Sequence, residues 1–242
     1  MMHITTPLSS RFQGALWGAA IADSHSPISE SVWGTLVVQG CQQFIQQGML
    51  RFQDLPVAQP WEVTGLIIPI SLYFHENRES LVENWQAIAD HYQLSSDCQI
   101  LGLQIATGLS ALVEGSVTPH QLIADGRSHL AQFHPNTLDN LPAHSALLHG
   151  LESFVQSSES FPGAIALAQQ NPQQPFLSSR IAATLCGTYQ TRLGIPLPWQ
   201  IFLAEKIQNP KTPWPHGIKA LDTLSAHLLA SWSGADLVSI KN

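Results

Sequence analysis

The sequence predicts an all-α fold, and three observations carry that prediction. Apolar residues recur at helical spacing over nearly the whole of the 242 residues. Proline and glycine gather between the periodic stretches, as in NPQQP, GIPLP and NPKTPWPHG. No alternating apolar–polar run of useful length occurs, and nothing repeats at a period of about 20–50 residues. With no linker rich in charge, Gly or Ser, the expectation is a single-domain compact helical bundle over 1–242.

The elements follow in order. Ser9 or Ser10 can cap a first helix in which Phe12, Leu16 and Ala19 share one side. On that helix Gly14, Gly18 and Ala22 form a small-residue ridge, where a second backbone can approach closely. A second helix starts within SESVWGT and carries the stripe Leu36, Val37, Cys41, Phe44 and Ile45, ending at Gly48. WEVTGLIIPISLYF has the composition of a buried strand, but Pro69 in its middle argues instead for a kinked helix. Leu81, Trp85, Ile88 and Tyr92 mark the next helix. Asp97 then caps a long one that carries Ile100, Leu101, Ile105, Leu109, Leu112 and Val113 and stops at Gly115. Thr118-Pro119 reads as a start signal, and further helices are expected at about 138–156, 161–170, 178–191, 198–208 and 217–232.

Composition narrows the classes of function. Hydrophobic residues make up 44% of the chain and charged residues only 11%, against roughly 25% charged in ordinary soluble domains. A surface so thin in charge favours association with a protein partner or with copies of itself. The net charge is −7 and the basic residues are scattered, which speaks against a nucleic-acid surface. The opening MMHITTPLSS lacks the basic and apolar regions of a signal peptide. GLIIPISLYF is too short to span a bilayer. Cys41, Cys98 and Cys186 are odd in number and lie in apolar helical patterns, so they read as buried thiols rather than a disulfide frame or zinc site. The expectation is a soluble, cytoplasmic protein without a membrane segment.

Residue by residue, the case for catalysis is thin. His75-Glu76 lacks the second histidine that a zinc helix needs one turn on. Asp23, Ser24 and His25 are consecutive, and three consecutive side chains point in different directions, unlike a catalytic triad. No phosphate loop and no nucleophile elbow is present.

Four blocks, in order, resemble the ADP-ribosylglycohydrolase family, which includes the activating glycohydrolase of dinitrogenase reductase. RFQGALWGAAIAD, from Arg11 to Asp23, is similar to the family's opening helix RxxGALxGxAxGD. GLIIPISLY, from Gly65 to Tyr73, resembles GxxMRxxPLGLxY, and ATGLSALVEG at 106–115 resembles a long helix ending in LLEG. IAATLCGTYQTRLGIPLPW, from Ile181 to Trp199, is similar to the family's late small-residue helix and its IPxxW turn. The match covers about residues 11–208 and implies an all-α bundle of the ADP-ribosylglycohydrolase type with a central cleft.

The resemblance also implies a dinuclear Mg²⁺ or Mn²⁺ site, and here the chain departs from it. The family's Thr-Asp-Asp-Thr falls on Ser31-Val32-Trp33-Gly34, counted back from Gly48, Leu50, Asp54 and Leu55. Its Asp-x-Asp-Thr falls on Gln174-Pro175-Phe176-Leu177. Hard cations need carboxylate oxygens, so the site is expected to be lost, with no metal or other cofactor. Trp33 and Phe176 are expected to fill the former cleft, facing each other, with Gln174 beside them.

The reading that follows is a non-catalytic family member, a pseudoenzyme acting by ligand or protein binding. Its partner would be a protein, or a nucleotide-like molecule on Trp33, Phe176 and Gln174. The alternatives are a hydrolase cleaving a glycosidic bond to ADP-ribose, either without metal or with metal ligands at positions other than those counted above, and a structural or assembly protein. Asp23 and Glu30 are the candidate catalytic acids for the hydrolase, with Asp97 and His91 as further groups to test.

Overall fold

A computed structural model describes residues 6–26, 31–57, 59–122 and 142–235. Every regular element among them is helical. The α-helices are α1 (Leu8–Ser24), α2 (Val32–Gln47), α3 (Ile67–Tyr73), α4 (Arg78–His91) and α5 (Ser96–Glu114), then α6 (Pro142–Gln156), α7 (Phe161–Ala168), α8 (Pro175–Gly194), α9 (Leu197–Lys206) and α10 (Ile218–Ser233). Two 3₁₀ segments, Phe52–Asp54 and Pro60–Leu66, lie between α2 and α3, and a helical turn follows α5 at 119–122.

The centre of the fold is the pair α1–α8. Residues 14–23 of α1 are all buried, as are residues 177–188 of α8. The ridge of small residues explains how two backbones come so close. A Cβ on Gly14 would overlap the carbonyl of Gly187, one on Gly18 that of Ala183, and one on Gly187 that of Gly14. Around this pair, α5, α9 and α10 pack on α1, while α6 and α7 pack on α8. Four tryptophans, Trp17, Trp33, Trp85 and Trp214, are fully buried in one contiguous apolar cluster.

The helix ends show where local signals hold and where they shift. Ser31 caps α2 by accepting the Gly34 N–H at 3.2 Å, and Gly48 closes the helix at φ 66°. The cap of α5 is Ser95, which accepts the Cys98 N–H at 3.4 Å, so Asp97 lies in the first turn instead of capping it. Either position favours the helix, because an acid in the first turn meets the positive dipole end. Likewise α1 begins one or two residues before Ser9 and Ser10, after Pro7, with no side-chain cap. The expected kink at Pro69 is a 3₁₀-to-α transition just ahead of it. Pro69 occupies the third position of α3, where a missing N–H costs little. Its ring reaches α2, where a Cβ on Gly40 would lie 2.7 Å from Pro69 Cγ.

No described helix is long and apolar enough to cross a membrane. The three cysteines are free and buried.

Candidate functional site

The Ser31–Gly34 side of the expected cleft borders a buried polar node. Asp23 is in the last turn of α1, Ser31 caps α2, Arg180 lies in the second turn of α8, and Trp214 comes from the connection between α9 and α10. Asp23 Oδ1 accepts from Ser31 Oγ at 2.6 Å and pairs with Arg180 Nη2 at 2.8 Å. Its Oδ2 accepts from Trp214 Nε1 at 2.9 Å. Arg180 Nη2 also donates to Ser31 Oγ at 3.2 Å. Both charged side chains are almost wholly out of water, 4% and 2% exposed.

Arg180 lies over Trp33, with Cζ 5.3 Å from the ring centre, where the guanidinium gains from the electron-rich ring face. Phe176 is the residue expected to face Trp33. It is half-buried in the first turn of α8, and no ring contact joins it to Trp33 among the described residues. Arg180 is one turn further along the same helix face, and its longer side chain reaches the indole. Gly34, the last residue of the VWG triplet, is required sterically: a Cβ there would overlap Asp23 Oδ2 and lie 2.9 Å from Pro213 Cγ.

Gln174 is the N-cap residue of α8 but makes no capping bond through its side chain. That work falls to Asn171, 3% exposed, whose Oδ1 accepts the N–H groups of Gln173 and Gln174 at 3.0 and 2.8 Å. Glu30 lies outside the described residues. Asp97 is half-buried at the start of α5, and His91 is exposed at the end of α4, edge-on to Phe52. No hydrogen bond, ion pair or ring contact joins either to Asp23 among the described residues. His25, two residues after Asp23, donates from Nδ1 to Ile21 O at 3.0 Å, stacks on Trp199 and packs at a tilt against Phe202.

Sequence reasoning missed Arg180, Trp214 and Asn171. Arg180 carried a signal, since a lone cation inside FLSSRIAATLCG is costly to bury without a partner. Trp214, in NPKTPWPHG, carried none.

Chemically, the node is closed upon itself. One carboxylate is matched by one guanidinium, a hydroxyl and an indole N–H. A hard dication placed here would meet the guanidinium and find a single carboxylate whose two oxygens are already engaged. No three His, Cys, Asp or Glu side chains gather in metal-ligand fashion among the described residues. Two donors remain without a partner, Arg180 Nε and Trp33 Nε1, so what the node still lacks is a hydrogen-bond acceptor. Comparison of the chain with known protein families, with curated proteins and with solved structures returns no match.

Proposed function

We propose that the protein is a non-catalytic, ADP-ribosylglycohydrolase-like protein that acts by binding another protein. The observation that carries this reading is the buried Asp23–Arg180 pair. A carboxylate already held by a guanidinium is a poor ligand for the two metal ions that the resemblance implies, and a hydrolase of that kind would need those ions to orient substrate and water. Trp33, the ring on which a nucleotide would stack, is only 1% exposed, which favours a protein over a nucleotide. The exposed apolar side chains Leu193, Leu197 and Ile201 at the α8–α9 junction favour a protein surface as the partner.

The test is calorimetric titration of ADP-ribose into the protein with Mg²⁺ and again with EDTA, alongside release of ADP-ribose from ADP-ribosylated arginine. The expected result is no turnover and no difference between the two buffers. Turnover that needs Mg²⁺ would overturn the reading and revive the hydrolase.

A further inference from the structure

Away from the buried node, α4 and α5 border a groove of about 510 Å³, within the range of about 300–1,000 Å³ that holds small organic ligands. Leu81, Val82, Ile100 and Leu103 give it an apolar wall. His75, Arg78 and Glu114 line it too, and they share one end. Ser110 Oγ donates to His75 O at 2.8 Å, which sets the turn before α4 against the last turns of α5. Arg78 is three residues beyond His75, and Glu114 is one helical turn beyond Ser110.

Arg78 and Glu114 are exposed at this end, whereas His75 is buried. His75 is 3% exposed and its ring packs against Phe12 and Trp232. Its Nδ1 donates to Leu72 O at 2.8 Å, and the remaining ring nitrogen is Nε2. That atom is buried without a partner. Arg78 and Glu114 line the same groove with opposite charge, yet the ion pairs among the described residues are Asp23–Arg180 and Arg192–Asp222.

We propose that this groove binds a small zwitterion, an amino acid or short peptide with free termini and an apolar side chain. Its carboxylate meets Arg78, its ammonium meets Glu114, and its side chain covers Val82, Ile100 and Leu103. A simple organic anion would be repelled by Glu114, and a simple amine by Arg78. One cation is also a poor match for a polyphosphate. This inference does not rest on the reading of the buried node.

The experiment is calorimetric titration of the full chain with leucyl-phenylalanine, with its N-acetyl form and with its C-terminal amide. Saturable binding of the free dipeptide is expected, weakened about three- to tenfold by either cap, as for partly exposed charge contacts. Glu114→Gln should erase the penalty for acetylation and leave that for amidation. Arg78→Gln should do the reverse. Both side chains are exposed, so neither change endangers the fold, and unchanged thermal unfolding checks this. Failure of the free dipeptide to bind, or equal binding of all three forms, would overturn the proposal.

Discussion

At the scale of single residues, the consequences of burial are sharpest at the Asp23–Arg180 pair. Each charge lost most of its hydration on folding, so removal of one partner strands the other. Arg180→Met or Asp23→Asn should each cost about 3–5 kcal/mol, whereas Asp23→Leu with Arg180→Met should cost much less than the sum. Urea unfolding of the two single variants and the double variant checks this, and strict additivity would show that the pair does not act as a unit. The buried thiols make a second prediction, in pH. Burial raises Cys41 from an ordinary 9.0 to about 12. Cys186 also rises to about 12, through burial first and then the nearby Glu159 carboxylate. The unfolded chain releases these protons near pH 9 while the folded chain keeps them, so the unfolded state binds fewer protons above that point. Stability should therefore fall between about pH 9 and pH 12, at up to ~1.4 kcal/mol per pH unit for each thiol. Replacing both with alanine should flatten that slope in a series of urea midpoints. At the acid end His144 works in the opposite direction along the pH axis. Burial lowers its pKa, so the unfolded state takes up its proton first and stability drops as pH falls through the ordinary histidine range.

At the scale of elements, α8 carries most of the organisation and most of the strain. Near its end Arg192 lies over the Trp17 ring and pairs with Asp222 at 3.0 Å, while Trp17 Nε1 donates to the same carboxylate at 2.8 Å. The arrangement repeats that of Arg180, Asp23 and Trp214, but at a partly exposed site where an ion pair contributes little. Between the two arginines, Thr191 holds φ 61° and ψ 178°, a region nearly confined to glycine, at a cost of order 1–3 kcal/mol. Thr191→Gly should therefore stabilise the protein by about 1 kcal/mol after the entropy that glycine adds to the unfolded chain. A lowered thermal midpoint would show that the buried threonine side chain outweighs the strain. The helices themselves were legible in the sequence, because apolar spacing and Gly or Pro at the ends are local signals. The ridge of Gly14 and Gly18 was legible as a close approach, but its partner Gly187 was not, since it lies 173 positions after Gly14 in the chain. The exact caps were lost for a related reason. Ser95, Ser96 and Asp97 can each serve, and the packing of Cys98 and Leu101 against the core decides among them.

At the scale of the whole molecule, the node at the centre was only half legible. Asp23, Ser31, Trp33 and Gly34 could be singled out from the chain, yet the cation that unites them comes from α8 and the indole from residue 214, which only the packed fold brings together. The surface follows from composition more directly. With 10 basic and 17 acidic residues in 242, few charges are available to interrupt apolar patches. Leu193 is 92% exposed, Leu197 66% and Ile201 50%. The break at Thr191 and the tight turn into α9 place these three side chains close in the chain on the outside of the α1–α8 pair. Burying them in an interface would favour association at about 25 cal/mol per Å² of apolar surface, before the entropic cost of bringing two molecules together. Sedimentation velocity across a range of concentrations should show association in the unaltered protein that is absent from Leu193→Gln/Ile201→Gln. Helical content and thermal unfolding should not change, because neither residue is part of the core. If the unaltered protein stays monomeric at every concentration, a second copy is removed as the occupant of this face and a different protein is left. If both forms associate equally, the face is not the interface, and the binding reading loses the surface that most favours it.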